Sequence, residues 1–150
     1  MSSSNKQIVK IIGIGVILIL VSNIIGHFAP PFSLCITPIL LTVIIGGLNY
    51  PLFKENFYWT ILYSVVLMLF NDLFLRLYAG GIHDQVGKAL IMIFFTITSV
   101  LVFITVLVCS IAIIDKQSHA YKKTVFLQIF SLLIAAIITG LIYYYLIADI

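Results

Sequence analysis

The sequence predicts an all-α integral membrane protein, a single bundle of five transmembrane helices with the N-terminus cytoplasmic and the C-terminus outside. Three observations carry that expectation. Of the 150 residues, 63% are hydrophobic and only 9% charged, whereas a soluble domain carries about 25% charged residues on its surface. Mean hydropathy is +1.25. Finally, the apolar residues fall into five runs that meet or approach the ~20 residues a helix needs to cross the hydrocarbon core.

The first run, about 8–28, begins after Lys6 and Lys10 and is stopped by Pro30-Pro31, since proline supplies no backbone donor and restricts the residue before it. Its outline resembles a signal peptide. A cleavage site wants small residues at −3 and −1, and before Pro30 these positions hold His27 and Ala29, which predicts an uncleaved anchor. The second run, about 32–49, is short, contains Pro38, and ends near Gly46-Gly47; a kinked or partly re-entrant helix is the alternative to a full span. The third covers about 57–79, the fourth 88–114 and the fifth 124–148. Lipid leaves no backbone polar group a water partner, so the runs are expected to be helices. No polar stretch is long enough for a second domain, so residues 1–150 form one unit.

Orientation follows from the lysines. With five spans and the N-terminus inside, Lys6, Lys10, Lys54, Lys116, Lys122 and Lys123 share the cytoplasmic side, as the positive-inside rule requires. Aromatic residues fit the same frame: Tyr50, Phe57, Tyr58, Trp59 and Tyr121 mark an inner belt, and Tyr78 with Tyr143-Tyr144-Tyr145 an outer one. Small residues predict where helices approach: Gly15, Ser22 and Gly26; Pro38, Thr42 and Gly46; Thr98, Thr105, Cys109 and Ala112; and Ser131, Ala135 and Thr139, with Ala136 and Gly140 beside them. Cys35 and Cys109 are expected near opposite faces, too far apart for a disulfide.

Chemistry concentrates between Asn71 and Lys88. Asp72 and Arg76 lie within a run otherwise long enough to cross a bilayer, where ionisable groups need a partner, a wet recess or a function. Four residues apart, they share a helix face and pair. Asn71 lies about 100° round the helix, placed to bond a neighbour. Beyond Gly80-Gly81, which suit a helix C-cap, Asp84 is placed to cap the fourth helix, and His83 follows the glycines. Asn71, Asp72, Arg76, His83 and Asp84 are the candidate residues for a substrate or ion. His27, His83 and Asp84 are the candidate metal ligands, two imidazoles and a carboxylate suited to zinc or a related ion. No cofactor is otherwise expected. Ser22, Asn23, Thr96 to Ser99 and Gln128 are expected to hydrogen-bond between helices.

Catalytic and nucleic-acid patterns are absent. There is no nucleophile elbow, phosphate-binding glycine loop or CxxC pair, and the basic residues do not cluster as a nucleic-acid footprint. The expectation is therefore a non-catalytic subunit or accessory partner of a larger membrane assembly, in contact with lipid and with another membrane protein or its own copies. A small oligomeric transporter or channel with a polar path at Asn71, Asp72 and Arg76 is the second reading. A lipid-modifying enzyme of the outer leaflet is the third. The Ile- and Lys-rich style suggests a bacterial inner membrane.

Overall fold

The structure, a computed structural model, describes residues 3–48, 57–78, 85–114 and 120–147. Among these no strand occurs. The elements are α1 (Ser3–Phe28), α2 (Pro30–Val43) continued by a π-helical turn (Ile44–Leu48), α3 (Phe57–Tyr78), α4 (Gln85–Ile113), and α5 (Tyr121–Ile142) continued by a second π-helical turn (Tyr143–Ile147). Four of the five helices are long and apolar enough to cross a membrane; the α2 segment contributes a shorter apolar helix, Leu34–Gly47.

α1 ends at Phe28, as Pro30-Pro31 predict, and the break is a single residue long. Pro30 and Pro31 also occupy the first positions of α2, where a missing N–H would be unpaired anyway and φ is already helical. Ala29 alone separates the helices. Its N–H donates to the Ile25 carbonyl at 3.1 Å, and its carbonyl accepts from Phe32 N–H at 3.1 Å. Pro38 inside α2 denies the helix one backbone donor, and its own carbonyl accepts the Thr42 hydroxyl at 2.7 Å.

Contacts along the helices fix their directions. Gly15 of α1 lies against Ile44 at the end of the α2 segment, so α2 folds back along α1. The α3 residues Tyr63, Asn71 and Tyr78 meet Ile12, Asn23 and His27 of α1 in ascending order, so α1 and α3 are parallel. Tyr143 near the end of α5 reaches Arg76 near the end of α3, which makes α5 parallel to both. Gly46 lies against Thr105, placing α4 antiparallel to α3 alongside α2. The bundle therefore alternates up, down, up, down, up. α3 and α4 form its centre: α1 packs on α2 and α3, α2 on α4, and α5 on α3 and α4.

The main core is built around Ile19, Leu41, Ile45, Met68, Val102 and Val106, with a smaller cluster of Leu34, Leu75 and Ile91 toward the end that carries Tyr78. Close approach depends on small residues. A Cβ at Gly15 would strike the Tyr63 hydroxyl and lie 3.2 Å from Ile44, and one at Gly46 would lie 2.9 Å from Thr105 Cγ2. The outer surface is almost wholly apolar, with Ile17, Phe28, Trp59, Val86, Val108 and Phe126 each more than half exposed. Lys6 and Lys10 of α1 and Lys122 and Lys123 of α5 lie at one end, and Lys88 of α4 at the other, because α1 and α5 run parallel. Lys54, Lys116 and Tyr50 lie outside the described residues.

Candidate functional site

Nine residues of α3 are buried, and three of them are Asn71, Asp72 and Arg76. The i, i+4 spacing places the carboxylate and guanidinium on one face. Arg76 Nε donates to Asp72 Oδ2 at 2.8 Å, with side-chain exposures of only 3% and 4%. That burial matters. A pair on the surface contributes ~0–1 kcal/mol, whereas a buried one becomes strongly destabilising if either partner is lost.

Arg76 extends the network to a second helix. Its Nη2 donates to the Tyr143 hydroxyl, and the guanidinium carbon lies 5.4 Å from the centre of the Tyr143 ring. The same ring stacks on Phe95 of α4, centroids 3.8 Å apart and planes within 6°. Tyr143 is 5% exposed, so it does not belong to the outer aromatic belt assigned to the tyrosine triplet; Tyr144 and Tyr145 face outward. Its position continues the small-residue stripe Ser131, Ala135, Thr139 by one further step of four, and extending that stripe would have singled it out.

Asn71 bonds outward to α1. Asn23 Nδ2 donates to Asn71 Oδ1 at 3.1 Å and to its own Ile19 carbonyl at 2.9 Å, while Asn23 Oδ1 is buried without a hydrogen-bond partner. The hydroxyls behave differently from expectation. Thr96, Thr98 and Ser99 donate to the carbonyls of Met92, Phe94 and Phe95, four residues back in their own helix, so these bonds are spent within α4. Short hydroxyl side chains reach the i−4 carbonyl without leaving the helix, which is the cheaper partner in a dry environment. Gln128 Oε1 is likewise buried with no partner.

At the meeting of α2, α3 and α4 lies a cavity of about 10 Å³, whose polar wall is formed by Thr37, Asn71, Asp72 and Thr98 and the remainder by apolar side chains such as Leu41, Met68 and Phe95. Two larger grooves flank α5. One, of about 350 Å³, runs between α3 and α5 and contains Ser131, Ala135 and Thr139. The other, of about 510 Å³, runs between α4 and α5 and contains Thr96, Ser99, Ala136 and Gly140.

Of the metal ligands suggested by sequence, only His27 lies among the described residues. It is exposed, and its Nδ1 is 2.8 Å from the Tyr78 carbonyl oxygen, a bond that the Nδ1–H tautomer donates. Its ring rests on the Tyr78 ring at 4.9 Å. His83 and Asp84 lie outside the described residues, and among those described no three His, Cys, Asp or Glu side chains gather to hold a metal ion. The site thus joins Asn71, Asp72 and Arg76 with Asn23 and Tyr143. Comparison with family models, with curated proteins and with solved structures found no match for this chain.

Proposed function

We propose that this protein is a five-span integral membrane protein of a bacterial inner membrane, acting as a non-catalytic accessory subunit that docks a transmembrane helix of another chain beside α5. Five crossings follow from the parallel run of α1 and α3: if both cross, the chain between them must return. The α2 segment with its π turn is 19 residues long, roughly 28 Å at helical rise, close to the ~30 Å hydrocarbon core. The lysines at the start of α1 and α5 support a cytoplasmic N-terminus and an outer C-terminus, as the positive-inside rule favours.

The observation that carries the accessory role is the poor burial of α5. Only 11% of its spanning window is buried, against 56% for α3. Ala135 and Thr139 pack into the bundle, but Ala136 and Gly140, four apart, line the larger groove, open to the lipid. Such small-xxx-small pairs allow backbones to approach closely. The buried charges support the same reading, because they are neutralised inside the bundle and the cavity beside them has room for one water-sized particle rather than a continuous path.

The test is Gly140→Leu. A Cβ at Gly140 meets nothing within 4 Å, so the variant folds while its side chain fills the groove. Native mass spectrometry after gentle extraction should show a second polypeptide with the parent protein and its loss from the variant. A second chain retained by Gly140→Leu, or a parent that is found only as monomer or homo-oligomer, would sink the proposal.

A further inference from the structure

Independently of the accessory role, we propose that the cavity between α2, α3 and α4 binds a single water molecule as a structural ligand of the Asp72 carboxylate. A volume of about 10 Å³ is close to one water-sized sphere, the minimum that an ordered buried water occupies, and such waters require two to four polar partners. Thr37, Asn71, Asp72 and Thr98 all line this cavity.

The chemistry of the wall specifies the ligand. An ionised carboxylate offers about four acceptor positions, of which Arg76 Nε takes one on Oδ2. The Thr98 hydroxyl has given its proton to the Phe94 carbonyl at 2.7 Å, so toward the cavity it presents lone pairs. Asn71 Oδ1 already accepts from Asn23, which leaves its Nδ2 amide as a donor. The carboxylate and the Thr98 hydroxyl offer acceptors and Asn71 a donor, and a molecule with two O–H donors and free lone pairs matches both. A small cation also favours oxygen ligands, but Asp72 is already neutralised by Arg76 at 2.8 Å. Adding an ion would leave a net charge at membrane depth, which is strongly unfavourable. Four lining side chains also fall short of the six to eight oxygens of calcium.

The consequence is structural unity. α3 is tied to α1 through Asn23–Asn71 and to α5 through Arg76–Tyr143. A water shared by Asp72 with Thr37 of α2 and Thr98 of α4 extends the polar network from α3 to every other helix of the bundle.

The experiment is density at water-resolving resolution for the intact protein in a lipid nanodisc or crystal. The expected result is one peak in this cavity within hydrogen-bond distance of Asp72 and Thr98. Data collected from protein equilibrated with thallium(I) should show no anomalous peak there. A cavity without density refutes the water, and a thallium peak replaces it with a monovalent cation. A second readout needs no structure: the infrared carboxylate band assigned to Asp72 by its loss in Asp72→Asn should shift between H2O and D2O, and Thr98→Val should reduce that shift to the part due to the Arg76 N–H bond. An Asp72 band that is insensitive to D2O in the parent also overturns the assignment.

Discussion

Replacing Asp72 by Leu removes the carboxylate that neutralises Arg76 and leaves a guanidinium 5% exposed inside the bundle. Removing one member of a buried ion pair costs about 3–5 kcal/mol. That is a large part of a typical stability of ~5–15 kcal/mol. Arg76→Met should cost a similar amount by stranding the carboxylate. The double variant removes both charges. It leaves the Tyr143 hydroxyl without its Arg76 donor, a loss of about 1–3 kcal/mol, offset by the gain of replacing a buried pair with apolar side chains. The double variant should therefore lie within about 2 kcal/mol of the parent, giving a coupling of at least ~4 kcal/mol. Equilibrium unfolding in mixed dodecylmaltoside–SDS micelles, followed by helical circular dichroism, measures all four proteins. Additive single losses would show that the two charges do not act as a buried pair.

Other perturbations separate the remaining contacts. Tyr143→Phe keeps the stack on Phe95 and deletes only the hydroxyl that Arg76 donates to, so about 1–2 kcal/mol should be lost in the same assay; no loss would remove Tyr143 from the network. Asn71→Ala breaks the bond to Asn23 and should lose about 0.6–1.7 kcal/mol, the range of hydrogen bonds between membrane helices. Gly13→Ala meets nothing within 4 Å, whereas Gly15→Ala strikes the Tyr63 hydroxyl; the first should be neutral or stabilising by up to about 1 kcal/mol and the second destabilising, and the reverse order would contradict the α1–α3 packing. Cysteines placed at Lys6 and Lys88 should be labelled by an impermeant maleimide from opposite sides of sealed vesicles, and labelling from one side would refute the alternating topology.

The helices were legible in the sequence because uninterrupted apolar length is a direct consequence of what lipid demands of a backbone. Their starts were less so. α4 and α5 each begin about three residues before their apolar runs, at Gln85 and Tyr121, since the first turn of a helix holds polar residues as readily as apolar ones. Pro30-Pro31 ends α1 at Phe28, as the sequence predicts, and also starts α2 two residues before its apolar run, because hydropathy does not mark the helix start that proline favours. At the site, Asp72–Arg76 followed from helical spacing alone. Tyr143 did not, because a run of three tyrosines at a helix end resembles an interfacial belt, and only the stripe of fours through Ser131 sets the first tyrosine apart from its neighbours. Which hydroxyls bond across helices was beyond the sequence, since the i−4 carbonyl is always within reach.

The distribution of polarity explains why α5 is the helix with a surface to offer. α3 gathers nearly all the strong polar contacts on its nine buried residues and leaves Tyr58, Leu62 and Val66 exposed along one stripe. α5 is held by a single stripe, Leu132, Thr139 and Tyr143, and its polar tie to α3 lies near its C-terminal end, where Tyr143 meets Arg76. Between lipid and helix there is no hydrophobic gain to close the grooves on either side, since acyl chains are as apolar as Leu. Dispersion contacts alone decide their contents, and a rigid helix fills a groove beside Ala136 and Gly140 more densely than mobile acyl chains do. The same Arg76–Tyr143 tie fixes the register of α5, so the groove has a defined shape before any partner arrives. On that argument Tyr143→Phe should loosen partner binding as well as the fold, whereas Gly140→Leu should abolish binding alone.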